Sequence, residues 1–372
     1  MKVAFQRLDR LYEEFREEFL DLFNESMKRG NFILGYEVRE FEREFAAYCG
    51  TTHCVGVASG LDALILSLNS LDLKRGDEVI VPANTYIATW IAASRLGLKP
   101  VPVEPEEEGF QIDPYKIQEN VSDRTKVIMP VHLYYQMPDM DVINELALKH
   151  GLRVVVDSAQ AHGAMYKGRK TGSIAEIEAF SFFPTKNLGA FGDGGAVVTR
   201  DTEVAEQIRM LRNYGTREKY ISEIIGYNSR LDELQATFLR FKLKVLDEWN
   251  AKRRSIAQKY LSELDGENLD LPKVKDYATP NWHIFPIMCD FRDELSRDLE
   301  RNGVQNIVHY PVPPYNQGAY SPLGLSERQF PITTKITRNI LSIPMHPYMT
   351  EEETDYVIEI VNKISKEHSN SS

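Results

Sequence analysis

The stretch Arg153-Val154-Val155-Val156-Asp157-Ser158-Ala159-Gln160-Ala161-His162-Gly163 decides the fold. Its three valines in a row leave no polar face, so it does not alternate as a half-exposed strand would. It reads as a strand covered on both sides, the situation of a parallel sheet. Six further runs of similar character stand around it: His53–Ala58, Glu78–Val81, Lys99–Val103, Lys126–Val131, Ile177–Phe182 and Gly195–Thr199. Helical stretches such as Asp139–His150 lie between them and supply the crossovers that parallel strands need. The fold class is α/β, a three-layer domain on a mostly parallel sheet.

Outward from this region the pattern changes. Leu8, Leu11, Tyr12, Phe15, Phe19, Leu22 and Phe23 recur at three- and four-residue spacing, which predicts an amphipathic N-terminal helix with an acidic outer face. After a polar segment at 212–228, Ser229-x-x-Asp232 resembles a capping-box start, and apolar residues at helical spacing follow from Leu231 to Trp249, running on to about Leu264. The remainder mixes strand and helix signals. A large domain over 1–245 and a smaller α+β domain over 246–372 are expected, with a polar, frayed tail from Ser365.

The chain has 372 residues, with 44 Lys plus Arg against 55 Asp plus Glu, a formal net charge of −11. That balance argues against a general nucleic-acid or anionic-membrane binder, which needs a basic face. No stretch is apolar and long enough to span a bilayer. Three cysteines, Cys49, Cys54 and Cys289, with no CxxC pair predict reduced thiols, buried as small hydrophobes, in a cytoplasmic protein. No metal site is expected.

Three segments carry chemistry, each at the end of an expected strand. In Ala58-Ser59-Gly60-Leu61-Asp62, a strand enters a helix through small residues, and the free N–H groups of that helix start can hold a phosphate; a plain connection reads the same way. Asp157 ends an apolar strand, so it needs a partner such as a protonated ring nitrogen, or else it caps the next turn. In Phe180-Ser181-Phe182-Phe183-Pro184-Thr185-Lys186-Asn187-Leu188-Gly189, a lone lysine in apolar company is a candidate for a lowered pKa and amine nucleophilicity. The following Asp193-Gly194 reads equally as a hairpin turn. Phosphate, ring nitrogen and aldehyde are the three features of pyridoxal 5′-phosphate, and the three segments match them together.

At these residues the chain closely resembles the DegT/DnrJ/EryC1/StrS family of sugar aminotransferases, of aspartate-aminotransferase-like fold (fold type I). The motifs are Ser181-x-x-Pro184-x-Lys186-Asn187, Gly192-Asp193-Gly194-Gly195, Pro82-Ala83-Asn84-Thr85-Tyr86, Pro130-Val131-His132-Leu133-Tyr134, Asp157-x-x-Gln160-x-His162-Gly163, Asn213-Tyr214-Gly215 and Gly226-Tyr227-Asn228-Ser229-Arg230-Leu231. The resemblance implies that Lys186 is the lysine that bonds the cofactor and the general base. It implies that Asp157 holds the ring nitrogen, that Gln160 approaches the phenolic oxygen and that Tyr86 stacks on the ring, although an aromatic residue opening a buried helix explains Tyr86 too. Ser59, Gly60 and Ser181 would take the phosphate. Asn228 would reach the neighbouring subunit's cofactor, which implies a homodimer with shared sites.

Asn84-Thr85-Tyr86-Ile87-Ala88-Thr89-Trp90 and Asn228-Ser229-Arg230-Leu231-Asp232-Glu233-Leu234-Gln235 resemble the branch that acts on dTDP-3-keto-6-deoxyhexoses with glutamate as amino donor. The expected product is a dTDP-3-amino-3,6-dideoxyhexose. Arg230, His309, Tyr310 and Tyr315 are candidates for substrate contact; His309 reads equally as a structural histidine beside Pro311. Tyr315 stands where the branch has His, and Tyr135 stands where the family has Gly, which would put a bulky ring beside the cofactor pocket. A 4-keto-sugar transaminase, a sugar dehydratase using the same cofactor and a non-catalytic relative are the alternatives. Lys186 speaks against the dehydratase, which has histidine there, and the intact site speaks against the silent relative.

Overall fold

A computed structural model describes residues 1–369. Its centre is a seven-stranded sheet of β1 (His53–Val57), β2 (Glu78–Pro82), β3 (Lys99–Val103), β4 (Thr125–Ile128), β5 (Arg153–Asp157), β6 (Ile177–Ser181) and β7 (Gly195–Thr199). The order across the sheet is β1-β7-β6-β5-β4-β2-β3. β7 alone runs against its neighbours, pairing antiparallel with β1 and β6. All seven expected strands are present, each within a few residues of its expected ends.

The apolar strands are covered on both faces because alternate residues serve two cores. Val79, Val81, Val155, Ile177 and Ala179 pack with the helices Gly60–Asn69, Ala88–Arg95 and Thr202–Leu211. Ile80, Val154 and Val156 point the other way, towards the helix Met140–His150. Phe180 and Val198 pack with Phe41 and Phe45 of the helix Tyr36–Cys49, and Cys49 and Cys54 are buried in the same core as free thiols. Asp139 and Asp201 cap helix starts with their carboxylates.

A further apolar core gathers the strands Phe285–Met288 and Ile340–Ile343 with the helices Leu246–Glu263, Arg292–Arg301 and Glu351–Ser369. Val3 and Phe5 of the N-terminus pack into this core, and Val3 bridges Val304.

Several local expectations change. The N-terminal helix is two, Leu8–Glu14 and Arg16–Arg29, broken at Phe15. Phe15 and Phe19 both lie against Phe241. Ser229 caps nothing: the helix begins at Glu233 and ends at Leu243, and a second runs over Leu246–Glu263. The Ser229 hydroxyl instead donates to Asp62 (2.7 Å) and accepts from the Ala58 N–H (3.2 Å), tying this segment to the first chemical segment. Asp193-Gly194 is not a two-residue hairpin, since β6 ends at Ser181 and a long turn precedes β7. The tail is helical to Ser369, with Ser365 fully buried; the last three residues lie outside the described part.

Candidate active site

The carboxyl ends of β1, β2, β5 and β6 face one cavity of about 470 Å³, a volume ordinary for a cofactor site. Ser59, Gly60, Tyr86, Asp157, Gln160, Ser181, Lys186, His309 and Tyr310 all line it. Nine of the expected residues, from five separate segments, therefore converge.

Lys186 sits on a turn held from both sides. Its backbone N–H donates to Phe183 O at 2.8 Å, and Phe182 exchanges bonds with Gly194 and Ala190. A Cβ on Gly189 would lie 2.3 Å from Pro184 O, so only glycine closes the turn. Asn187 anchors the far end: its amide donates to Asn250 Oδ1 and Asn281 O, both at 2.8 Å, and its oxygen meets His283 Nδ1 at 3.1 Å. Burial lowers the Lys186 amine to about 8, with the Asp157 charge opposing. About a tenth of the amine is thus unprotonated at pH 7, far more than for an exposed lysine.

Asp157 is 5 % exposed. Thr89 Oγ1 donates to its Oδ2 at 2.9 Å, and the Ala159 N–H donates to its Oδ1 at 3.1 Å. Burial nevertheless raises its pKa, because these two neutral donors and the Lys186 charge offset only part of the desolvation. A bound cation at the carboxylate would complete the compensation.

Gln160 is fixed through both ends of its amide. Its oxygen accepts from the Tyr134 N–H at 2.6 Å and its nitrogen donates to the Tyr310 hydroxyl at 2.9 Å. Tyr134 takes a left-handed backbone (φ 65°) and donates its hydroxyl to His309 O. Tyr86 is 54 % exposed, its ring 5.3 Å from that of Tyr310. His309 Nδ1 lies 2.9 Å from Ser342 Oγ, and burial, then the Lys186 charge, lowers its imidazole to about 4. It is a neutral ring at physiological pH.

The phosphate end is shaped by an absent side chain. Ser59 caps the helix Gly60–Asn69 by accepting from Asp62 N–H at 3.1 Å. A Cβ on Gly60 would fall 2.5 Å from Ser181 Cβ. Beyond the capped Asp62, the N–H groups of Gly60 and Leu61 have no intrahelical acceptor and stand open beside the Ser59 and Ser181 side chains. The donor set fits pyridoxal phosphate: amide and hydroxyl donors, a buried carboxylate short of positive charge, and an amine of lowered pKa in one cavity.

Three expected residues lie elsewhere. Tyr315 is 2 % exposed, stacks on Phe330 at 4.6 Å and bonds Thr334, packed into the core against the central sheet and not lining the cavity. Arg230 donates to Asn213 Oδ1 and lies over the Tyr214 ring. Asn228 is exposed and does not line this chain's cavity. The ring of Tyr135 also misses the site: it stacks on Trp282 at 4.6 Å, donates to Lys273 O and borders a different cavity. Two contributors went unforeseen. Thr89 lies in the first turn of the helix Ala88–Arg95, just beyond Tyr86, and reaches Asp157, while His283 comes from a distant segment with no local signal.

The model of the DegT/DnrJ/EryC1/StrS aminotransferase family matches residues 13–362. A dTDP-3-amino-3,4,6-trideoxy-alpha-D-glucose transaminase of Streptomyces venezuelae is 47% identical, over 97% of this chain and 96% of its own length. A dTDP-3-amino-3,6-dideoxy-alpha-D-galactopyranose transaminase of Aneurinibacillus thermoaerophilus is 46% identical, over 97% and 99%. The erythromycin biosynthesis sensory transduction protein EryC1 of Saccharopolyspora erythraea is 47% identical, over 96% and 98%. Among solved structures, S. venezuelae DesV in complex with ketimine intermediate superposes with a TM-score of 0.96 at 46% identity, covering 98% of both chains. NtdA from Bacillus subtilis with bound cofactor PMP reaches 0.90 at 32% identity, covering 98% of this chain and 85% of its own.

Proposed function

We infer the reaction from the premise that this chain belongs to the DegT/DnrJ/EryC1/StrS aminotransferase family. It is a pyridoxal-phosphate-dependent transaminase that converts a dTDP-3-keto-6-deoxyhexose to the dTDP-3-amino-3,6-dideoxyhexose, with glutamate as amino donor. The observation that carries this reading is the convergence of Lys186, its amine lowered to about 8, with the buried Asp157 and the Gly60 helix start in one cavity. The two transaminases named above act on 3-amino sugars linked to dTDP, which supports the substrate class.

When bound, pyridoxal phosphate supplies the aldehyde that receives an amino group and the ring that withdraws electrons from the carbon being deprotonated. The chain's own residues do the rest. Ser59, Gly60 and Ser181 hold the phosphate. Asp157 keeps a proton on the ring nitrogen, and in return gains the positive partner that its burial demands. Thr89 keeps the Asp157 carboxylate in place. Tyr86 covers the ring and Gln160, clamped by Tyr134 and Tyr310, faces the phenolic oxygen. Lys186 Nζ takes a proton from one carbon and returns it to another; an amine with a pKa of about 8 can do both near neutral pH. Its neutral neighbour His309 is placed for substrate rather than for proton transfer.

The large and small domains divide near residue 245, and the acting unit is a homodimer in which Asn228, exposed outside its own cavity, completes the partner's site. The test is chemical labelling. Enzyme loaded with pyridoxal phosphate should be yellow, lose the visible absorbance on borohydride reduction and carry the pyridoxyl group on the Lys186 peptide. A protein that stays colourless with added cofactor, or is labelled at another lysine, contradicts the reading.

A further inference from the structure

His283 lines the same cavity as Lys186 but arrives there on the segment 281–284, far in sequence from the sheet. That segment is held firmly. The N–H groups of Asn281 and Ile284 donate to Tyr135 O and Tyr134 O, both at 3.3 Å. Arg253 Nη1 donates to Trp282 O at 3.1 Å and to His283 O at 3.2 Å. The Trp282 ring stacks on those of Tyr135 and Phe285, with centroids 4.6 and 5.2 Å away. The imidazole of His283 is thus presented on a backbone that has little freedom to move.

Its neighbours place the proton on that ring. Asn187 donates its amide hydrogens to Asn250 Oδ1 and to the backbone carbonyl of Asn281, and a carbonyl only accepts. The Asn187 atom facing His283 Nδ1 at 3.1 Å is therefore its oxygen, so Nδ1 carries the hydrogen. Burial holds the imidazole well below its usual pKa, helped first by the Lys186 charge and then by Arg253, His309 and His162. The ring is neutral, and Nε2 is left as a bare lone pair. The ring nitrogens of His132 and His162 are closed off without partners, whereas His283 Nε2 opens on the cavity. Other acceptors in the wall are already engaged: Gln160 Oε1 by the Tyr134 N–H, the Tyr310 hydroxyl by Gln160, and His309 Nδ1 by Ser342.

We propose that His283 is a positioning residue for Lys186: its Nε2 accepts a hydrogen from the Lys186 amine whenever that lysine is not bonded to the cofactor. The inference rests on the transaminase reading, which needs Lys186 free for part of each cycle and leaves Asp157 to the ring nitrogen. A charged amine donates up to three hydrogens and a neutral one two, so the bond is available in both forms. It limits the swing of a long, flexible side chain. One imidazole therefore serves the reactive lysine twice, since Nδ1 braces the turn through Asn187 and Nε2 steadies the amine that the turn carries.

Two substitutions separate the two nitrogens. In His283→Asn the side-chain amide stands in for Nδ1 and keeps the tie to Asn187; in His283→Gln the amide oxygen stands in for Nε2. Enzyme loaded with pyridoxal phosphate is treated with glutamate, which frees Lys186, and the amine is titrated by competitive acetylation of its peptide across pH. Loss of an acceptor disfavours the ammonium, so the midpoint in His283→Asn should fall about one pH unit below that of wild type. Turnover should drop about tenfold with KM for both substrates unchanged, and His283→Gln should restore the midpoint. An unmoved midpoint in His283→Asn overturns the proposal. So does a raised KM without a shift, which makes His283 a substrate contact. A Lys186 that stays closed to acetylation after glutamate overturns the transaminase reading and this proposal with it, so the two failures are told apart. Should His283→Asn fail to fold, proton–nitrogen spectra of histidine-labelled wild type decide. An Nδ1–H tautomer whose Nε2 resonance moves in Lys186→Ala is expected, and an Nε2–H tautomer or an indifferent resonance overturns the proposal.

Discussion

Lys186 owes its reactivity to position: its amine is drawn into a cavity where burial favours the neutral form and Asp157 alone opposes that pull. The sign of the pH effect follows. The competent form is unprotonated, so the rate of cofactor attachment to apoenzyme should climb with pH and level off above about 8, where an exposed lysine would still be rising. A plateau only above pH 10, seen by stopped-flow absorbance, contradicts this. Lys186→Ala should lower turnover by at least about 10³-fold while cofactor still binds through the phosphate and ring contacts. Gly60→Ala probes the other end. Its methyl would fall on Ser181, and the clash should weaken pyridoxal phosphate binding by about tenfold or more with the fold intact, measured by equilibrium titration. The residues that sequence reasoning identified here share one trait, a side chain whose chemistry is odd for its surroundings: a lysine among aromatics, a carboxylate closing a valine run. Thr89 and His283 have no such oddity, and become visible only when the helix and the distant segment are brought to the cavity.

The elements that present these residues are set by patterns of two kinds. Most of the seven sheet strands were legible as short apolar runs, the signature that burial on both faces leaves, while β3 is only partly buried. Helix ends were less so. Ser229-x-x-Asp232 has the residues of a capping box, yet Ser229 bonds Asp62 and Ala58, a tertiary use no local pattern reveals. Another start is capped from afar. The Glu233 carboxylate accepts from the N–H groups of Gly35 (2.6 Å), Glu37 (2.9 Å) and Val38 (3.0 Å) at the head of the helix Tyr36–Cys49. A Cβ on Gly35 would press against that carboxylate, which accounts for the glycine. Glu233→Ala strands three buried donors and should cost about 2 kcal/mol of stability or more, read as a lower urea midpoint. A midpoint unchanged from wild type would show that the interaction is dispensable. Breaks at Phe15 and at 244–245 also escape periodicity, since the apolar spacing continues through both while the chain bends to follow the core.

At the scale of the molecule, the cavity is assembled from two apolar cores: the sheet supplies Asp157 and Lys186, and the segments around 283 and 309–310 close it. Among the described residues no helix is long and apolar enough to cross a membrane, and no cluster could hold a metal ion. Asn228 and Arg230 stay outside this chain's own cavity, and the neighbouring Tyr214, Tyr220, Ile221 and Ile225 are exposed, as the proposed dimer requires of an interface segment. Shared sites make a specific prediction: Lys186→Ala and Asn228→Ala enzymes, each impaired alone, should regain activity on subunit exchange, because hybrids contain one intact site. No recovery despite demonstrated exchange would place Asn228 outside catalysis. The most direct test of the central claim is the position of the new amine. Purified enzyme, pyridoxal phosphate, glutamate and dTDP-3-keto-6-deoxyhexose should yield 2-oxoglutarate and a sugar whose NMR spectrum shows nitrogen on carbon 3. Amination at carbon 4 of a 4-keto substrate with none at carbon 3, or no amino sugar at all, would contradict it.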